Sequence, residues 1–278
     1  MPIITTPIDF VLQSAITTNT RNSFGNQILY DMCKSGNMLN PEELADEIWL
    51  IGRSYAASTE RRFYKRVGNL TPGRGTGDYF NHIGSYLALL PAFQTLVSKI
   101  KTIAPLNFNC STKDFSNLCL SVQCVEELNE LIKAASENFD RTYNKGIIFS
   151  QTKHKNQISF CSKFLHFQEP ESFFIIDSVT LETGKQLFST RCRSTRKLYN
   201  VLIGKSENVA FDNELSCVFK NAPKCKTTSS ALGDYKEHVK RSYALGVILK
   251  KIEKMYSISK SSNVTYPRLT DIIFQKVL

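Results

Sequence analysis

The stretch FCSKFLHFQEPESFFIIDS, residues 160–178, sets a lysine and a histidine inside an aromatic run and ends an apolar segment with an aspartate. Those side-chain types can do chemistry together. A carboxylate such as Asp177 stabilises positive charge that develops beside it. A lysine such as Lys163, kept partly neutral by desolvation, can attack an electrophilic carbon and form a Schiff base. Aromatic faces form the walls that hold a planar ring. Each residue also has a plainer reading. Asp177 ahead of Ser-Val-Thr-Leu-Glu is an ordinary helix N-cap. Lys163, in the middle of an aromatic helix, can extend its amine to water. His166, one turn from Lys163, can be a packed, hydrogen-bonded histidine.

Two other clusters bear on partners. In IGRSYAASTERRFYKR, residues 51–66, the cations Arg53, Arg61, Arg62, Lys65 and Arg66 lie among Tyr55, Phe63 and Tyr64, with Tyr79 beyond a glycine-rich loop. Guanidinium groups neutralise phosphates and aromatic rings stack on bases. Gly73, Gly75 and Gly77 let backbone amides approach a phosphate, although no Gly-Lys-Ser/Thr follows to make a Walker loop. After Asp177 come Lys185, Arg191, Arg193, Arg196 and Lys197, with Glu182 as the single acid through Lys197. With Lys145, Lys153 and Lys155 they make the strongest polyanion surface in the sequence. The two clusters are expected to face one groove. The bland alternative for both is a solvated basic face.

The whole chain agrees with such a partner without requiring one. Its 278 residues carry 35 Lys and Arg against 25 Asp and Glu, a net charge of +10. Eight cysteines include no CxxC pair, and four histidines offer few co-ligands, so neither zinc nor an iron–sulfur cluster is expected, nor any other cofactor. No export signal or membrane-length apolar run stands out, which points to a cytoplasmic protein with buried thiols rather than disulfides.

The elements that must position these residues read as helices. Helical spacing covers 23–35. Asn40-Pro41-Glu42-Glu43 starts a helix with Leu44, Ile48, Ile51 and Tyr55 on one face. A helix over 79–103 is expected to bend at Pro91. Residues 105–118 read as a loop, and 121–140 as an amphipathic helix with Val125, Leu128 and Ile132 inward. Helices follow over 158–168, 178–203 and 231–257, with an irregular segment at 204–229 and a last helix near Pro267. GIIFS at 146–150 and FFII at 173–176 are the only strand candidates. The expectation is a mainly α, compact multi-helix bundle, either one body or two lobes divided near residue 140 (1–140 and 141–278).

QISFCSKFLHF, then Glu169-Pro170, then ESFFII to Asp177 gives helix, P-x-x-F-x-x-x-D, helix. This order resembles the second half of the helix–hairpin–helix DNA glycosylase superfamily, the 8-oxoguanine and alkyladenine type. In that family a proline turn leads to an essential aspartate at the start of a helix. Here the hairpin is divergent: residues 141–156 hold only Gly146, where the family carries a glycine pair. The resemblance implies a DNA N-glycosylase, with or without lyase activity, that flips out and excises a modified or damaged base. Asp177 matches the family's aspartate. Lys163, or Lys155 nearer the family's slot, would be the amine, and Tyr55, Tyr79, His166 and Phe167 the base pocket. Arg53, Arg61, Arg62, Arg66, Lys153, Lys185, Arg191, Arg193, Arg196 and Lys197 would hold the nucleic acid, DNA ahead of RNA. Genome maintenance or phage defence would be the setting. Two other readings stay open: a non-catalytic nucleic-acid-binding helical protein, and a helical scaffold for an acidic partner.

Overall fold

A computed structural model of the protein describes residues 27–54, 76–143, 157–188, 212–221, 230–256 and 265–276. The protein is mainly helical, and no strand occurs among the described residues. In chain order the helices are α1 (27–35), α2 (Pro41–Ser54), α3 (Thr76–Leu89), α4 (Pro91–Thr102), α5 (Thr112–Tyr143), α6 (Ile158–Gln168), α7 (Ser178–Leu187), α8 (Asp212–Asn221), α9 (Ser230–Tyr256) and α10 (Tyr266–Lys276). They sort into two compact units that interleave along the chain. One holds α1 to α4, α5 from Gln123 onward and α6. The other holds α5 up to Val122 and α7 to α10.

In the first unit α2 starts as the sequence dictates. Asn40 Oδ1 accepts the N–H groups of Glu42 and Glu43 at 3.0 and 3.3 Å. Leu44, Ile48 and Ile51 are buried along one face. α3 lies against α2 at Gly84, where a Cβ would overlap the Pro41 carbonyl and stand 2.9 Å from the Ala45 side chain. The absent side chain permits this close approach of two helices. Pro91 ends one helix and starts the next, and the chain bends by 79° there, as its ring and missing N–H demand. α5 buries Val125, Leu128 and Ile132. α6 is buried nearly all round, from Ile158 through Phe167, and this includes Lys163.

In the second unit the sequence expectations need correction at four places. α5 begins at Thr112, inside the stretch read as loop, because Ser111 Oγ accepts the Asp114 N–H at 3.1 Å. The Asp114 carboxylate then takes the N–H groups of Asn107 and Asn109 at 2.9 and 3.2 Å. It also takes the Tyr243 hydroxyl at 2.6 Å. This buried hub holds a loop in which Phe108 and Cys110 have positive φ, 52° and 58°. The segment Phe173–Ile176 is buried and has no regular secondary structure; it is not a strand, and side chains from α9 take two of its carbonyls. α7 stops at Leu187 instead of running to 203: the Phe188 N–H closes on the Gly184 carbonyl and its backbone leaves the helical region (φ −112°, ψ 23°). Within 204–229, read as irregular, residues 212–221 are helical.

Among the described residues no single helix is long and apolar enough to cross a membrane. Cys33, Cys124 and Cys161 are buried thiols, and burial pushes all three up, Cys124 to about 12.

Candidate functional site

The site grows from the turn after α6. The Glu169 N–H caps the Leu165 carbonyl, and Pro170 prevents the helix from continuing. Residues 173–176 then follow without regular secondary structure, with all four side chains buried. Their backbone is held from α9: the Tyr235 hydroxyl donates to the Phe174 carbonyl at 3.2 Å, and His238 Nε2 donates to the Ile175 carbonyl at 2.9 Å. A carbonyl only accepts, so Nε2 carries the proton and Nδ1 keeps its lone pair.

This clamp delivers Asp177 to the start of α7. Its Oδ1 accepts the Thr180 N–H at 2.8 Å, and the Thr180 hydroxyl accepts the Asp177 N–H at 3.0 Å, a complete capping box. No hydrogen bond to Oδ2 occurs among the described residues, and Asp177 is half-buried. One carboxylate oxygen therefore fixes the helix, and the other takes no part in the capping box.

Around α7 stand further polar groups. Burial pushes His238 down to about 4. The Arg241 charge pushes the same way, and the Ile175 carbonyl and Asp177 oppose it. Its imidazole is neutral at physiological pH, with Phe274 tilted against the ring at 5.7 Å. Burial also lowers the Arg241 guanidinium from its ordinary range, against the pull of Glu237 and Asp234. Lys185 pairs with Asp234 at 3.5 Å on a half-exposed face, a contact worth under about 1 kcal/mol.

The residues singled out for catalysis fall in different places. Asp177 lies in the α7–α10 unit, and Lys163 belongs to the unit of α1–α4 and α6. Lys163 is only 5 % exposed, so its amine does not extend freely to water as a surface lysine would. Of the pocket residues, Tyr79, His166 and Phe167 lie in the core. His166 Nε2 meets the Tyr30 hydroxyl at 2.8 Å, and Phe167 packs on Tyr30 with centroids 4.8 Å apart. Tyr79 stands edge-on to Phe80 and Phe139, with its hydroxyl 3.1 Å from Ser136 Oγ. Arg53 lies on α2, its side chain outside the description. Tyr55, Arg61, Arg62, Arg66, Lys153, Lys155, Arg191, Arg193, Arg196 and Lys197 lie outside the described residues, as does GIIFS. The common basic groove lies outside them as well.

Sequence reasoning passed over Tyr235, His238 and Arg241. In YKEHVKR a histidine and an arginine sit at i and i+3, a spacing that puts them on one helix face without saying what they meet. Among the described residues no group of three His, Cys, Asp or Glu side chains could hold a metal ion. No family model, curated protein or solved structure matches the chain.

Proposed function

We propose that the protein is a divergent DNA N-glycosylase, its helical body a variant of the helix–hairpin–helix glycosylase fold, with Asp177 as the carboxylate that stabilises the oxocarbenium-like sugar. One observation carries the reading. Asp177 opens a helix straight after a helix and a proline turn, with one oxygen in the cap and the other uncommitted among the described residues. A carboxylate held so rigidly needs no reorganisation when charge develops beside it. The basic sequence supplies the attraction for the phosphate backbone.

The test is excision from duplex oligonucleotides that each carry one modified or damaged base. Asp177→Asn keeps the cap, because asparagine caps about as well as aspartate. Its melting temperature should match the wild type while excision is lost, since an amide carries no charge to offset the cation. Borohydride trapping with Lys163→Gln and Lys155→Gln shows which lysine, if either, forms a covalent intermediate. The completed capping box favours a second reading, in which Asp177 is structural and the protein binds nucleic acid without cleaving it. Salt-sensitive binding with no excision from any substrate would establish that reading and sink the first.

A further inference from the structure

Glu47 is a buried carboxyl that the proposed chemistry does not use. It is 1 % exposed on α2. Its Oε2 accepts from Gln168 Nε2 of α6 at 2.7 Å, and Oε1 has no hydrogen-bond partner. Oε1 is packed on Gly36, the residue that follows α1. A Cβ on Gly36 would overlap Oε1 and stand 2.9 Å from the Met32 carbonyl. The carboxyl therefore sits at the C-terminal end of α1, the end toward which a helix directs its carbonyls. That end repels a carboxylate, while a neutral acid carries no charge to repel. Among the described residues no cation pairs with Glu47 to offset the repulsion. From α1 comes the Cys33 thiol, pushed up by burial and then by the Glu47 charge; Asp31 and Lys34 on that helix are exposed. On α2, Glu43 brings a like charge, and Glu42 and Asp46 are exposed. From α6 comes the uncharged Gln168, followed by Glu169; Lys163 and His166 lie about 140° and 160° round that helix from Gln168. α3 meets α2 at Pro41 and Ala45, and Ala45 lies about 160° round α2 from Glu47. Tyr79 and His82 of α3 are hydrogen-bonded to Ser136 and Asn138 of α5.

The cover over Oε1 is thin. Gly36, packed directly on it, is half-buried, and Asn37 is exposed. The connection from Gly36 to Asn40 closes on itself through local bonds: the Gly36 N–H donates to the Met32 carbonyl and the Asn40 N–H to the Asn37 carbonyl, both at 2.7 Å. We propose that this α1–α2 corner is a proton-operated switch, dry while Glu47 holds its proton and opened to water at Gly36 when the proton is lost. An ionised oxygen buried without donors is costly, and the half-exposed Gly36 is the side from which water reaches it. The α6 side stays in place, because a carboxylate accepts the Gln168 N–H more strongly than the neutral acid does. Opening is therefore confined to the end of α1 and to residues 36–40.

Amide hydrogen exchange of the full chain tests the switch, with rates corrected for the intrinsic effect of pH. Burial raises the Glu47 carboxyl from 4.5 to about 7. The open corner, where the carboxyl is hydrated, ionises first and so gains on the closed one as pH rises over that interval. Protection of the Gly36 and Asn40 amides should fall by about tenfold per pH unit between pH 5 and pH 7 and level off above. The fall should not depend on dilute urea, because local opening exposes little surface. The Glu169 amide, which closes α6 on the Leu165 carbonyl, should exchange only through global unfolding and so respond to urea. Glu47→Gln has no proton to lose and should flatten the pH profile of the corner. Gly36→Ala places a methyl where Oε1 now lies, so its corner should be open already at pH 5 and its profile flat; it carries the comparison if Glu47→Gln does not fold. Corner amides that match Glu169 in rate and urea response would show that Glu47 ionises only on global unfolding and would overturn the switch. A wild-type profile as flat as that of Gly36→Ala would overturn it too.

Discussion

Replacing Glu47 with glutamine should change how stability depends on pH. Glu47 lies on α2, 1 % exposed, with Gln168 Nε2 donating to Oε2 at 2.7 Å and no hydrogen-bond partner for Oε1. Burial raises its carboxyl from 4.5 to about 7; the Gln168 bond opposes this and the Glu43 charge adds to it. The unfolded chain therefore ionises Glu47 first. Stability is complete below 4.5 and is lost as pH rises toward 7, because the unfolded state binds fewer protons over that interval. Across that interval, at about 1.4 kcal/mol per pH unit, the loss is about 3 kcal/mol. Glu47→Gln removes the titration but keeps an acceptor for Gln168. Its new amide N–H lacks a partner at every pH, so that cost cancels when two pH values are compared. Urea unfolding followed by Trp49 fluorescence gives the measurement, since Trp49 is the chain's one tryptophan and sits two residues from Glu47 on α2. The variant's stability relative to wild type should improve by about 3 kcal/mol between pH 4 and pH 8. Parallel profiles, within about 1 kcal/mol across that range, would show that Glu47 ionises in the fold as it does in water and would refute the burial argument.

Two packing predictions follow from the same structure. Gly84→Ala forces a methyl against the Pro41 carbonyl, which is backbone and cannot rotate away; the α2–α3 contact should loosen and thermal unfolding should show a loss of about 1–3 kcal/mol. Tyr243→Phe removes the hydroxyl that donates to Asp114 and accepts the Cys110 N–H. A stability loss of about 2–3 kcal/mol, with faster hydrogen exchange at Cys110, is expected, and an unchanged exchange rate would show that the loop holds its positive-φ residues by other means.

Local signals on the sequence carried much of the helical frame. Asn40-Pro41-Glu42-Glu43 names its own cap, and Pro91 leaves the chain no way to continue straight. The start of α5 was equally local, in Ser111-Thr112-Lys113-Asp114, but it was masked by Asn107, Asn109 and Pro105, which read as loop. What was not local was not legible. FFII has the composition of a buried strand, and it is buried without being one. Whether such a segment becomes a strand depends on who takes its backbone groups. Here a tyrosine and a histidine about sixty residues later in the chain take two of its carbonyls.

The same reasoning applies to the polar residues of the candidate site. Asp177 could be read in advance, because a cap declares itself within four residues, and both sides of the capping box are present. His238 and Arg241 could not, because on an isolated helix they are indistinguishable from a hydrogen-bonded histidine and a solvated arginine. Their setting comes from distant parts of the chain: Gly184 of α7 lies against Arg241 and His238, and the Ile175 carbonyl fixes the imidazole tautomer.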